Sequence, residues 1–99
     1  MLQAQVEIEY DSIKNERNIV TRGISFELAR EFDFASAYIY ADERKNYGEI
    51  RLIGYGFIGD RIHVVCFKAS KINKVRIISL RKANEREVEK YREFIRRPN

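Results

Sequence analysis

Cysteine occurs once in the 99 residues, as Cys66, so an internal disulfide and a thiolate cluster for zinc are both excluded. Histidine also occurs once, as His63, which leaves a single side chain whose ordinary pKa lies near neutrality. No apolar run approaches the length of a membrane span, and none follows a basic start as a secretion signal would. Repeats, linkers and low-complexity segments are absent. The polar stretch Asp42–Gly48 has acids but no histidine, and nothing pairs them at metal-ligand spacing. The expectation is one cytoplasmic domain over residues 1–99, without membrane, metal or cofactor.

What is present is charge, and it is unevenly placed. The formal net charge is +4. Residues 1–60 carry 7 Lys/Arg against 11 Asp/Glu, whereas residues 61–99 carry 12 against 4. Such a basic half suits a polyanion such as nucleic acid. The plainer reading is a solubilising surface, but polarisation between halves favours a partner. The apolar fraction of 44% is that of a globular chain with a modest core.

Gln5–Tyr10 alternates polar and apolar residues and reads as a short half-buried strand. Asp11 or Ser12 caps a helix running to about Arg22, with Ile13, Ile19 and Val20 as a thin apolar stripe and Gly23 as its left-handed end. Ser25 starts a second helix, with Leu28, Ala29 and Phe32 facing inward and Phe26 beside them. Ala37–Ala41 is a strand, and Glu49–Phe57 another. In the latter Arg51, Ile53, Tyr55 and Phe57 share a side, while Gly54 and Gly56 permit close approach on the other. Gly59-Asp60 turns the chain into Arg61–Phe67, a strand apolar enough to be central. Lys68–Lys74 reads as a basic loop, Val75–Leu80 as a core strand and Arg81-Lys82 as a hinge. Asn84 with Glu87 makes a capping box for a last helix, in which Val88, Tyr91 and Ile95 line one face and Pro98 marks the stop. The order predicts an α+β fold: a small antiparallel sheet, two N-terminal helices and one C-terminal helix, the helices mainly on one face.

Three motifs in order carry a resemblance. The first is Tyr10-Asp11-x-x-Lys14-Asn15-x-x-Asn18-Ile19 followed by Gly23-Ile24-Ser25-Phe26-Glu27. The second is Glu49-x-Arg51, opening a strand that ends in glycine. The third is Arg76-Ile77-Ile78-Ser79-x-Arg81-Lys82-Ala83, then Glu87 and Tyr91. Together they resemble the BrnT toxins of bacterial type II toxin–antitoxin systems, within the wider RelE-like fold group, over about residues 10–91. Three departures stand out: Tyr10 where the family usually has tryptophan, Thr21-Arg22 where it has Lys-His, and Leu80 in place of a small residue. Arg22 keeps a cation there but cannot shuttle protons.

The resemblance implies metal-independent RNA cleavage, in which the RNA's own 2′-hydroxyl attacks the neighbouring phosphate. Arginine forks suit the charge that develops on phosphorus. Arg51, Arg76 and Arg81 are the main catalytic candidates, with Glu87 as base or as the group that orients Arg81, and Tyr91 as stacking ring or proton donor. Lys14, Arg22 and Lys82 are candidates for substrate binding. Strand alternation sets Arg76 and Arg81 on opposite faces, so a bulge or bend must re-aim one if both serve one site. The structural readings are that Arg76 pairs with an acid such as Glu49, that Tyr91 belongs to the core, and that His63 is a satisfied strand residue and Cys66 a small core residue. RNA and a ribbon-helix-helix antitoxin are the partners implied, with a homodimer or a larger toxin–antitoxin assembly possible. A non-catalytic module that binds antitoxin or nucleic acid is the alternative.

Overall fold

Strand β4, Arg61–Lys71, is the middle of a five-stranded sheet, and Ile62 to Phe67 are all buried. The structure, a computed structural model, describes residues 6–97. The expected strand start at Gln5 and stop at Pro98 lie outside these residues. In chain order the elements are β1 (Glu7–Glu9), α1 (Ser12–Arg22), a 3₁₀ helix (Phe26–Glu31), β2 (Tyr38–Ala41), β3 (Leu52–Ile58), β4, β5 (Lys74–Lys82) and α2 (Glu85–Arg96).

The strands are ordered β1-β5-β4-β3-β2. The sheet is mixed rather than antiparallel: β1 runs parallel to β5. A parallel pair needs a long crossover, and here all the intervening chain provides it. The basic stretch expected to be a loop instead extends both central strands. Only Ile72 and Asn73 turn the chain there, with Asn73 at φ 60, a conformation asparagine tolerates. Arg81 and Lys82 likewise belong to β5 rather than to a hinge.

Helices cover both faces, not one. Ile24, Phe26, Ala29 and Phe32 pack with Val65, Phe67, Ile77 and Leu80 on the first face. Tyr91 of α2 packs with Ile53, Tyr55, Ile62 and Val64 on the second. The second N-terminal helix is a 3₁₀ helix, and its burial pattern shows why: Phe26, Ala29 and Phe32 recur every three residues, the 3₁₀ period. Phe32 lies so close to the sheet that a Cβ on Gly56 would sit 2.8 Å from its ring, and the glycine admits that approach.

Of the two residues expected to cap helix α1, Asp11 does so, and Gly23 is left-handed as expected, but the apolar stripe does not pack. Ile13 and Val20 are exposed, and the buried residue is Asn18. The helix docks by hydrogen bonds instead. Asn18 Nδ2 donates to the carbonyls of Ile24 (2.9 Å) and Leu80 (2.8 Å), and Asn15 Oδ1 accepts from Phe26 N at 2.7 Å. β1 pairs β5 only as far as Arg76, so α1 caps the strand edge beyond it. On α2 the capping box is present, Tyr91 is buried and Val88 half-buried, but Ile95 faces solvent.

Candidate functional site

A β-bulge decides which arginines meet. Cys66 pairs with Ser79 and Phe67 with Ile77, so Ile78 has no residue opposite it. Ile77 and Leu80, three apart, thereby join the same core. The extra residue flips the alternation, so Arg76, Ser79 and Arg81 all project from the face that α2 partly covers.

Arg81 is held at the start of α2. Its Nη1 and Nη2 each donate to Glu87 at 2.7 Å, in the two-point fork that suits a carboxylate. Glu87 Oε1 also accepts from Asn84 N at 2.9 Å, so one carboxylate both caps the helix and aims the arginine. The Arg81 bond holds the Glu87 carboxyl below its ordinary range, and Glu87 raises the Arg81 guanidinium in return.

Beside this pair lies a cleft of about 360 Å³. Val64, Cys66 and Ser79 line it from the sheet, and Arg22 reaches it from the end of α1. Tyr40 and Tyr55 line it with their hydroxyls 3.0 Å apart. Burial and the Tyr40 bond push the Tyr55 phenol well up, so it stays a proton donor at neutral pH. Burial also raises the Cys66 thiol, which keeps it protonated. The loop after β2 contributes Asp42 and Arg44, joined by Arg44 Nε to Oδ1 and Nη2 to Oδ2, both 2.7 Å. The Asp42 carboxyl is driven far down, chiefly by that bond.

Beyond the cleft the same face is open and charged. Glu49 accepts from Arg51 (2.9 Å) and Lys68 (2.8 Å), and Arg51 stacks over the Tyr47 ring at 4.1 Å. Arg76 pairs with Glu9 of β1 at 3.1 Å rather than with Glu49, and Lys74 reaches the same carboxylate at 3.5 Å. Lys68 and Arg76 are cross-strand neighbours. Four cations therefore share two carboxylates across β1, β5, β4 and the start of β3. Lys14 is exposed on α1, and its charge is felt at Cys66.

Thus Arg22, Arg81 and Glu87 meet in one cleft, with Arg51 and Arg76 on the open face beside it. Two candidates lie elsewhere. Tyr91 is 3% exposed and donates its hydroxyl to Ser36 O at 3.1 Å, while its ring meets Phe57 edge-on, so it packs the core. Lys82 is exposed, but alternation places it opposite Arg81, on the first face beside His63. His63 is buried, its Nδ1 2.9 Å from Arg61 O, as expected of a structural histidine. Asp42, Arg44, Tyr40 and Lys68 were not sequence candidates. Only Tyr55 carried a signal, by sharing a side with Arg51.

The model of the family described as "Ribonuclease toxin, BrnT, of type II toxin-antitoxin system" matches residues 10–87. The chain belongs to this family. Among solved structures, the Brucella abortus ribonuclease toxin BrnT is similar at 25% sequence identity and a TM-score of 0.64, covering 81% of this chain and 99% of that one. No curated protein matches the chain. A type II system implies a protein antitoxin as partner of this BrnT-family chain. Much of the BrnT-like N-terminal pattern is structural here: Asn15 and Asn18 dock α1, Ser25 caps the 3₁₀ helix, and the Tyr10 hydroxyl donates to Glu27.

Proposed function

We propose that this BrnT-family chain is a RelE-like endoribonuclease of the cytoplasm that cuts RNA without a metal ion, on the open face beside α2. The observation that carries this reading is the Arg81–Glu87 fork at a cleft continuous with a cationic sheet face, in a chain of a ribonuclease toxin family. In the reaction the 2′-oxygen bonds to the adjacent phosphorus as its proton leaves. The bond from phosphorus to the 5′-oxygen breaks, and that oxygen takes a proton. The products are a 2′,3′-cyclic phosphate and a free 5′-hydroxyl, with no water consumed. Arg81 stabilises the charge gathering on the phosphoryl oxygens, and Glu87 keeps it aimed. Arg51, Arg76, Arg22 and Lys14 hold the flanking backbone, whereas Tyr91 and Lys82 take no part. A ribbon-helix-helix antitoxin neutralises the enzyme by laying an acidic segment over the same face, within a larger assembly.

The test uses labelled RNA and its all-DNA counterpart, with and without chelator, on wild type and Arg81→Ala. Cleavage should survive chelator, spare DNA and leave the cyclic phosphate. Arg81→Ala should lose about 100- to 1,000-fold in rate, the usual effect of removing one preorganised donor. Chelator-sensitive cutting, or cutting of DNA, refutes the mechanism.

A second reading is a non-catalytic module that binds RNA or antitoxin. It is favoured by the engagement of Asp42 and Glu87 with arginines and by the burial of His63 on the other face. Retarded but intact RNA would decide for it.

A further inference from the structure

We infer that Arg44 is a phosphate-binding arm of this cleft and that the buried Asp42 is its positioning residue; this rests on the ribonuclease reading above. The two side chains are opposites in exposure: 1% for Asp42 and 71% for Arg44. Asp42 is anchored from several directions. It accepts from the Tyr47 hydroxyl at 3.0 Å and from Arg44 N at 3.2 Å, and its own N–H donates to Arg51 O at 2.8 Å. A carboxylate so fixed grips the guanidinium by Nε and Nη2 from behind. Among the described residues Nη1 has no hydrogen-bond partner, so its donors remain for a ligand.

Arg81 is also backed by a carboxylate, on the other wall, though through Nη1 and Nη2. Its carboxylate, Glu87, is 13% exposed, while the arginine is 38% exposed. Both arginines line the cleft, and the charge of Arg44 is felt at Arg81. Each guanidinium has its carboxylate behind it, and an anion entering the cleft would meet donors from both walls. The guanidinium donors that the two carboxylates leave free, one set on each side of the cleft, suit successive phosphates, or two oxygens of one phosphate, of an RNA backbone. A solvent-exposed pair with no ligand to serve gains little stability, whereas one anchored to a buried acid has its donors fixed in advance.

The experiment measures binding of a fluorescent, mixed-sequence 2′-O-methyl RNA, which lacks the attacking hydroxyl, over a series of salt concentrations. Wild type, Arg44→Gln, Asp42→Asn, the double variant and Arg81→Ala are compared, with melting curves for each. Arg44→Gln should bind more weakly and lower the slope of log affinity on log salt by about 0.7, one single-strand phosphate contact. Asp42→Asn should weaken binding in the same sense, and the double variant should be no weaker than Arg44→Gln alone. With cleavable RNA, Arg44→Gln should raise KM more than it lowers kcat. A merely structural staple would shift melting and leave the salt slope alone. The inference is overturned if Arg44→Gln keeps both affinity and slope while Arg81→Ala loses affinity. If Asp42→Asn does not fold, Arg44→Gln alone decides, since its side chain is exposed. Wild type that neither binds nor cuts RNA overturns the ribonuclease reading as well.

Discussion

Asn18→Ala should be among the most damaging single changes in the N-terminal half, though it deletes only a small polar side chain. Asn18 is 6% exposed, and its one amide nitrogen serves two carbonyls, Ile24 O at 2.9 Å and Leu80 O at 2.8 Å. Removing it strands both acceptors, and a buried group left without a partner costs about 1–3 kcal/mol. Some water can enter the space of the lost amide, so the sum falls at about 2–4 kcal/mol rather than at the upper limit. For a domain of this size that is roughly 10–25 °C in Tm. Asn18→Asp tests the direction of the bonds. An ionised carboxylate would face the same two carbonyls and raise its own pKa in the fold. That variant should therefore recover stability as the pH falls through that raised value, because a protonated acid can donate to one carbonyl. Thermal unfolding followed by circular dichroism, over a range of pH, reads both effects. An Asn18→Ala protein melting within about 2 °C of wild type would refute the view that α1 is docked by this amide.

Tyr91→Phe should cost about 1 kcal/mol, since Ser36 O loses its donor, and should leave RNA cleavage unchanged; a large loss of rate in a folded protein would return Tyr91 to the site. Gly56→Ala should destabilise by about 1–3 kcal/mol, because the new Cβ would lie 2.8 Å from the Phe32 ring; a neutral urea midpoint would mean the 3₁₀ helix yields freely. Acid should loosen the cleft. Asp42 and Glu87 both have folded pKa values below their ordinary ones, so their stabilisation is present above the ordinary carboxylate range and lost as the pH falls through the folded values. Glu87→Gln should flatten the acid limb of Tm against pH, and an unchanged limb would exclude Glu87 as a contributor.

Local signals were enough for the starts of the helices and for the end of α1, though not for the ends of the strands. Asp11, Gly23, Ser25 and the Asn84–Glu87 box each act within a few residues, through hydrogen bonds or a left-handed φ that one residue type favours. The central strand was legible in the apolar run Arg61–Phe67, and the close approach at Gly56 in its missing side chain, whereas a Cβ at Gly54 would meet its neighbours at ordinary contact distance. The BrnT-like motifs were legible because they are short and ordered. Where apolar pattern misled, a polar contact had won: Ile13 and Val20 suggested a packed stripe, but the amides of Asn15 and Asn18 dock α1.

The tertiary structure decided what depends on partners far apart in the chain. That β1 runs parallel to β5 follows from pairing Ile8 with Val75, which no local pattern encodes. The bulge at Ile78 depends on the register against β4, and it alone brings Arg76 and Arg81 to one face. Composition identified a basic half, but not that Glu9 and Glu49, from the acidic half, would thread three of its cations, together with Arg51, into a ladder. Nor could spacing show that Asp42 would be buried behind Arg44, across a cleft from Arg81. A side chain's type and its neighbours in sequence set what chemistry it can do. Which charges confront it is set by the register of strands that meet only when the sheet closes.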